Sequence, residues 1–510
     1  MGANYPGTPN LTETSQYAFP LKPKDYAPGA VPTLEEWQKL WTAWDLVTLK
    51  MFPKEALHEQ PIALRNPLIF YLGHIPTLLK SSENLSEDIH LARATKTPPT
   101  EPKYYQQIFE RGIDPDVDDP SQCHDHSEVP NTWPELSDIL VFREKVCARI
   151  TALYQTQKPW QDRTIGRALW IGFEHEGLHL ETFLWMTLMS PNILPPPDIP
   201  RPDFIHMAEQ AVRVRVENQW FSIKPRTFTI GIEDTDDDSA LSPADFFAWD
   251  NERNTYEVSV QGFEAQARPA SILDYAIYLV KTSQKDCLLV TWSTVSGLPD
   301  RSIASSPQSD PVIEEFIDGL ALKTVYGLLP VRLALDWPIY TSYNEAEGYA
   351  EWAGARLPTL HEARSIHRQV EEENAEKTQE SQNSEPASKS IRDDIYTDLT
   401  GCNVGFQNFH PTPVTQNGNR LSGQGDLGGA YEWTSSLFEP QPNFKPMDIY
   451  QGYSVFDTII ADFMDGKHIV VVGSSWAFHP RIAGKKTFLN WWQKGYPYPW
   501  IGIRLVRDRN

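Results

Sequence analysis

The chain has 510 residues, 40% of them hydrophobic and 12% aromatic, with a formal net charge of −23 and a pI near 5.0. A length beyond one ordinary core predicts two domains. The acidic balance, with no basic stripe to override it, argues against a nucleic-acid partner, and no apolar run reaches the ~18 residues that a membrane span needs.

Residues 1–30, rich in Pro, Gly and Thr, are expected to form a flexible lead-in. They lack the charged start and apolar core of a signal peptide. The four cysteines, Cys123, Cys147, Cys287 and Cys402, show no C-x-x-C pairing. That usage fits a reducing compartment and predicts a cytoplasmic protein.

Residues 31–205 read as a helical domain. In "PTLEEWQKLWTAWDLVTLKMF" Thr33 and Glu36 have the spacing of a capping box. Trp37, Leu40, Trp41, Trp44, Val47 and Met51 then follow at helical spacing. "WPELSDILVFREKVCARITALYQTQ" repeats the pattern, with Ile139, Phe142, Val146 and Ile150 on one face. "RTIGRALWIGFEHEGLHLETFLWMTLMS" is apolar almost all round, which predicts a buried helix. The proline run of "SPNILPPPDIPRPDF" should stop the helical region and mark the boundary.

Residues 206–510 read as a second, mixed domain. "QWFSIKPRTFTIGIED" and "NTYEVSVQGFEAQARP" alternate as strands do, and "YNEAEGYAEWAGARLPTLHEARSIHRQV" supplies helices around a turn. The last hundred residues, dense in Gly, Trp, Tyr and Asn, predict a loop-rich fold held by aromatic packing. Residues 371–394 contain no aromatic side chain and are expected to be a disordered, solvated acidic insertion.

"FEHEGLHLETF", residues 173–183, carries both H-E-x-x-H and H-x-x-x-H-x-E. On a helix, His175 and His179 lie on one face about 6 Å apart, close enough to share a metal ion. A zinc peptidase of the metzincin type would then need glycine at 182 and histidine at 185, where Thr182 and Trp185 stand. A glutamate ligand from a second helix about 20 residues on would fall in the proline run. The peptidase reading fails at its third ligand.

Two other sources of that ligand remain. His74 lies in the apolar "NPLIFYLGHIPTLL", and "CHDHSE" (123–128) lies among Asp and Pro, as a surface loop would. A face of three histidines leaves coordination positions open, which suits a non-haem iron that must bind oxygen and sulfur together. Each histidine also fits an ordinary buried, hydrogen-bonded core residue. Glu181, two positions past His179, points to another part of the helix surface and reads as structural or supporting.

Several motifs in order carry a resemblance. "FYLGH", "FERGIDPDVDDPSQCHDHSEVP" and "FEHEGLHLETF" resemble the DinB-like four-helix-bundle domain of the ergothioneine-pathway sulfoxide synthases in their fungal form. "FFAWDNERNTYEVSV", "RLPTLHEARSI", "YEWTSS", "GSSWAFHPR" and "IGIRLVRD" resemble the second domain of those enzymes. That domain has the formylglycine-generating-enzyme fold, a C-type-lectin-like α+β architecture. The resemblance runs from about residue 18 to the end.

It implies iron(II) held by His74, His175 and His179. It implies an O2-dependent reaction that joins L-cysteine, or a cysteine-containing thiol, to ring carbon C2 of hercynine and oxidises the sulfur to a sulfoxide, a product passed to a separate C–S lyase. In "YQGYS" it assigns Tyr450 as proton donor and Tyr453 as a neighbour lining the substrate pocket; in "FLNWWQKGYPYPW" it assigns Asn490 and Trp491 to the histidine-derived substrate. Where bacterial relatives that use γ-glutamylcysteine carry an acid and an arginine, Trp492 and Tyr496 stand here, which leans toward cysteine.

There are departures. The methyltransferase domain of fungal relatives does not precede this region, which implies that hercynine is made elsewhere. "KSSENLSE" (80–87) and "VFDTII" (455–460) look like insertions beside the site. Ser474 stands where glycine is expected, and Gly429 where the wider fold often has asparagine. The competing expectations are a histidine-using, ovothiol-type synthase, a thiol dioxygenase, and a non-catalytic binding relative. The absence of a cysteine pair near "GSSWAFHPR" argues against a copper-dependent formylglycine generator.

Overall fold

The computed structural model describes residues 16–77, 92, 94–123, 126–295, 310–382, 391–447 and 463–509. Four helices dominate its first part: α1 (Leu34–Asp45), α2 (Leu68–Thr77), α3 (Leu136–Tyr154) and α4 (Arg163–Thr187). The capping box at Thr33 forms as expected. Its side chain accepts from the Glu36 amide at 3.2 Å while Glu36 Oε2 accepts from the Thr33 amide at 2.8 Å. Asp162 caps α4 by accepting from the Thr164 and Ile165 amides. Helix α2 is buried at every position and packs on α3 and α4, while α1 packs on α4. Ile139, Phe142, Val146 and Ile150 form the buried face of α3, as their spacing predicts.

The proline run separates α4 from a further helix. After it comes α5 (Phe204–Val214), capped by Asp203, whose carboxylate accepts from the His206 amide at 2.9 Å. The prolines end one helix, and a fresh cap at Asp203 starts the next, which runs to Val214, just short of the first strand.

The strands are β1 (Trp220–Ile223), β2 (Arg226–Ile230), β3 (Tyr256–Val260), β4 (Phe263–Gln266), β5 (Trp292–Thr294), β6 (Leu320–Thr324), β7 (Gly327–Pro330), β8 (Tyr431–Leu437), β9 (His468–Gly473), β10 (Asn490–Gln493), β11 (Ile501–Gly502) and β12 (Val506–Asp508). They form four small sheets, ordered β1-β4-β12, β2-β3, β5-β6-β7 and β10-β9-β8-β11. Pairing is antiparallel except that β11 runs parallel to β8. Helices α6 (Ile272–Lys281), α7 (Tyr343–Trp352) and α8 (Leu360–Gln382) pack around them.

Helix α8 corrects the expectation of disorder over 371–394 for the described residues; 383–390 lie outside them. Residues 371–382 continue the helix and Ile391–Ile395 form a further turn. The physical reason lies at the start of α8, where Leu360, Ala363 and Ile366 are buried and anchor a Glu- and Gln-rich extension of good helix propensity. One hydrophobic cluster runs from Tyr17 to Leu505 and so joins the helical and strand-bearing parts. Among the described residues no helix is long and apolar enough to cross a membrane, and all four cysteines are free thiols.

Candidate metal centre

The site starts from two glycines. On α2, a Cβ at Gly73 would lie 2.5 Å from the Phe109 ring. Only the bare backbone lets that segment close on the helix. The close approach brings the Phe109 carbonyl within 2.7 Å of His74 Nδ1. A carbonyl can only accept, so Nδ1 carries the proton and Nε2 keeps a free lone pair for a metal. Phe70 stacks on the same imidazole at 5.0 Å. On α4, Gly177 sits between the two histidines in sequence. A Cβ there would press on Ile482 at 3.0 Å and His479 at 3.3 Å, so the C-terminal part packs directly against the histidine helix.

The three imidazoles converge. Ring centroids are 5.3 Å apart for His74 and His175, 4.9 Å for His74 and His179, and 4.4 Å for His175 and His179. One ligand atom from each lies within 4.8 Å of the others, and this is the single such group of three or more among the described residues. Burial lowers the pKa of His74 to about 4 and that of His179 well below its usual range, with the positive charge of Arg65 adding to the effect on His179. Neutral imidazoles are the form that binds a cation. Among its described residues the rival "CHDHSE" segment contributes nothing to the group: Cys123 and His126 are exposed, His126 Nδ1 meets its neighbour's carbonyl at Ser127, and positions 124 and 125 lie outside the described residues.

The acids of α4 are all engaged away from the group. Glu174 accepts from Trp170 and Trp249 indole nitrogens, each at 2.7 Å, and from Lys485 at 2.9 Å. Glu176, the base in a peptidase reading, faces Arg143 of α3 at 3.8 Å. Burial raises its pKa to about 7, against the pull of Arg143. One residue on from His175 is a 100° turn around the helix, and that turn answers the H-E-x-x-H question. Glu181 accepts from the Tyr431 hydroxyl at 3.0 Å, with its pKa raised to about 7 by burial. Tyr431 also hydrogen-bonds Asn490, so a polar chain runs from the histidine helix to β10.

Asn490 and Trp491, both assigned to the histidine-derived substrate, are neighbours on β10. Successive side chains of β10 point to opposite faces. Trp492 packs edge-on against Trp185 of α4 at 5.7 Å, and Asn490 shares its face. Trp491 turns the other way and stacks on Phe438 at 4.0 Å. Tyr450 and Tyr453, like the insertions at 80–87 and 455–460, lie outside the described residues. Gly429, with φ of +93°, holds a left-handed backbone in which a Cβ would come within 2.8 Å of Asn403, which accounts for the missing asparagine. The Ser474 hydroxyl is buried without a hydrogen-bond partner among the described residues.

Sequence reasoning missed Arg65. Its guanidinium lies over the rings of Trp185, Trp492 and Tyr496, at 5.8, 5.7 and 5.1 Å, donates to the Tyr496 hydroxyl and pairs with Asp114 at 3.2 Å. Nothing local marks it; only the nearby "FYLGH" hints that its loop approaches the site.

Fold and site together define a mixed helix-and-sheet protein with a buried three-histidine centre. Residues 211–509 match the model of the sulfatase-modifying factor enzyme 1-like domain, and the chain belongs to that family. It is 43% identical to ergothioneine biosynthesis protein 1 of Neurospora crassa, over 98% of this chain and 60% of that protein. Identity to the protein of the same name from Schizosaccharomyces pombe is 30%, over 94% and 56%. Hercynine oxygenase of Mycobacterium tuberculosis is 29% identical over 55% of this chain and 59% of its own. The chain thus spans about 60% of the length of the curated relatives it matches.

Proposed function

We propose that the protein is a non-haem iron(II), O2-dependent sulfoxide synthase that joins L-cysteine to hercynine in ergothioneine biosynthesis. The observation that carries this reading is the buried convergence of His74, His175 and His179. The names of its relatives, ergothioneine biosynthesis protein 1 and hercynine oxygenase, support it. In this reading residues 31–205 are a DinB-like bundle, 206–510 the second domain, and the protein works in the cytoplasm and hands its product to a separate C–S lyase.

The donor set fits ferrous iron, because three neutral nitrogens leave the ion its full charge and leave positions open. When bound, the iron supplies oxygen activation and lowers the pKa of a coordinated thiol. The protein's own residues supply the rest. The Phe109 carbonyl fixes the His74 ring, as outer hydrogen bonds do for metal-bound histidines. Burial among Phe70, Tyr71 and Phe183 keeps water out. Asn490, held by Tyr431, offers an amide to the hercynine substrate. Tyr450 delivers a proton during oxygen reduction, and Tyr453 lines the pocket. Arg65, Trp492 and Tyr496 close the side facing Trp185, which favours a thiol as small as cysteine.

The test is anaerobic reconstitution with ferrous iron, then oxygen with cysteine and hercynine, and mass analysis of the products. A coupled sulfoxide is expected. Cysteine sulfinate with unreacted hercynine would instead mean thiol dioxygenation, and coupling to histidine in preference to hercynine would mean an ovothiol-type enzyme.

A further inference from the structure

A cavity of about 780 Å³ lies beside the first turns of α8, and none of the proposed site residues that the structure describes lines it. Strand β2 forms one wall, the helix face of Arg364 and Arg368 another, and residues around Ile391–Ile395 a third. Phe228, Ile230, Phe246 and Ile391 give it an apolar lining.

Its charges are unevenly matched. Lys486 is satisfied by Glu371 at 3.0 Å, and Glu372 pairs with Arg226 at 3.1 Å. Arg364 and Arg368 have no carboxylate partner within salt-bridge distance among the described residues. Arg364 is 5% exposed and donates only to the Gln424 amide oxygen and the Phe488 carbonyl. Arg368 donates to the Thr229 carbonyl at 2.6 Å and lies over the Phe228 ring at 4.7 Å. One helical turn apart, the two are like charges on one face. Burial and this repulsion lower the pKa of Arg364 to about 10, even with Glu252 nearby. Glu252 itself is engaged by Lys485 and Thr487.

Two adjacent guanidinium groups beside an apolar cavity match a carboxylate, which arginine binds through paired hydrogen bonds. The lining nevertheless holds Glu233, Asp245, Glu371, Glu372 and Asp394 against three cations. A ligand with two negative charges would be repelled, and one that also carries a positive charge would be favoured. We propose that this cavity binds a zwitterionic amino acid with an apolar side chain, its carboxylate on Arg364 and Arg368 and its ammonium toward Asp394 and Glu372. The site stands independently of the three histidines.

Ligand-observed fluorine NMR with 4-fluoro-L-phenylalanine on the full chain tests this, against 4-fluorophenylacetate and 4-fluorophenethylamine as single-charge controls. The amino acid should bind saturably and at least about tenfold more tightly than either control. Arg368→Gln should weaken it at least tenfold, and Arg368→Lys, which keeps the charge and guards against a folding artefact, less. His179→Ala should leave it unchanged. No saturable binding, equal binding of the fluorophenylacetate, or loss of binding in His179→Ala would each overturn the proposal.

Discussion

Helices α4 and α8 are of similar length, 25 and 23 residues, and both are rich in charge, yet α4 buries its charges and α8 leaves nearly all of its described ones partly or fully exposed. Arg163 and Arg167 of α4 meet Asp234 at 2.8 and 2.6 Å, and Glu174 meets Lys485, with every one of these groups inside the protein. Helix α8 buries charge only in its first turns; from Glu371 onward its described acids are half-buried or exposed. A buried charge is tolerable only when paired and hydrogen-bonded. Partners of α4 range from Asp234, about 70 residues on, to Lys485, so its polarity welds distant segments together, whereas that of α8 solvates a rod.

The largest effect should come from breaking that weld. Lys485→Ala leaves Glu174 and Glu252 buried without their cation and should cost about 3–5 kcal/mol of stability in urea denaturation; a loss below 1 kcal/mol would mean that the weld is not structural. Next, His179→Ala should weaken ferrous iron binding at least about 100-fold, about 2.7 kcal/mol, in anaerobic titration, with little change in the metal-free melting curve. Gly73→Ala forces a methyl group into the Phe109 ring and should cost about 1–3 kcal/mol, with a further loss of iron affinity as the His74 ring shifts. The smallest effect belongs to α8: Glu372→Ala removes an exposed partner of Arg226 and should change stability by less than about 1 kcal/mol. A larger loss would make the end of α8 as integral as α4.

Much of this was legible in local pattern. The capping box at Thr33, the buried face of α3 and the apolar wrap of α4 follow from spacing alone, and so does the shared face of His175 and His179. His74 was one of two candidates by residue type, and family resemblance singled it out, because nothing local says that position 74 meets position 175. The side taken by Trp491 could have been read from strand alternation beside Asn490, had β10 been recognised as a strand. The helix through 371–382 was hidden because low hydrophobicity describes a solvated helix and a disordered tail equally well. Arg65 and the Glu174–Lys485 pair depend on contacts between residues hundreds of positions apart, which no window of sequence displays.

The press of Ile482 on Gly177 also sets a schedule for the nascent chain. The residue that seats the histidine helix emerges about 300 positions after His179, roughly 15–60 s later at ordinary rates of elongation. Until then α4 lacks its backing, so the centre can reach its final shape only after Ile482 has left the ribosome.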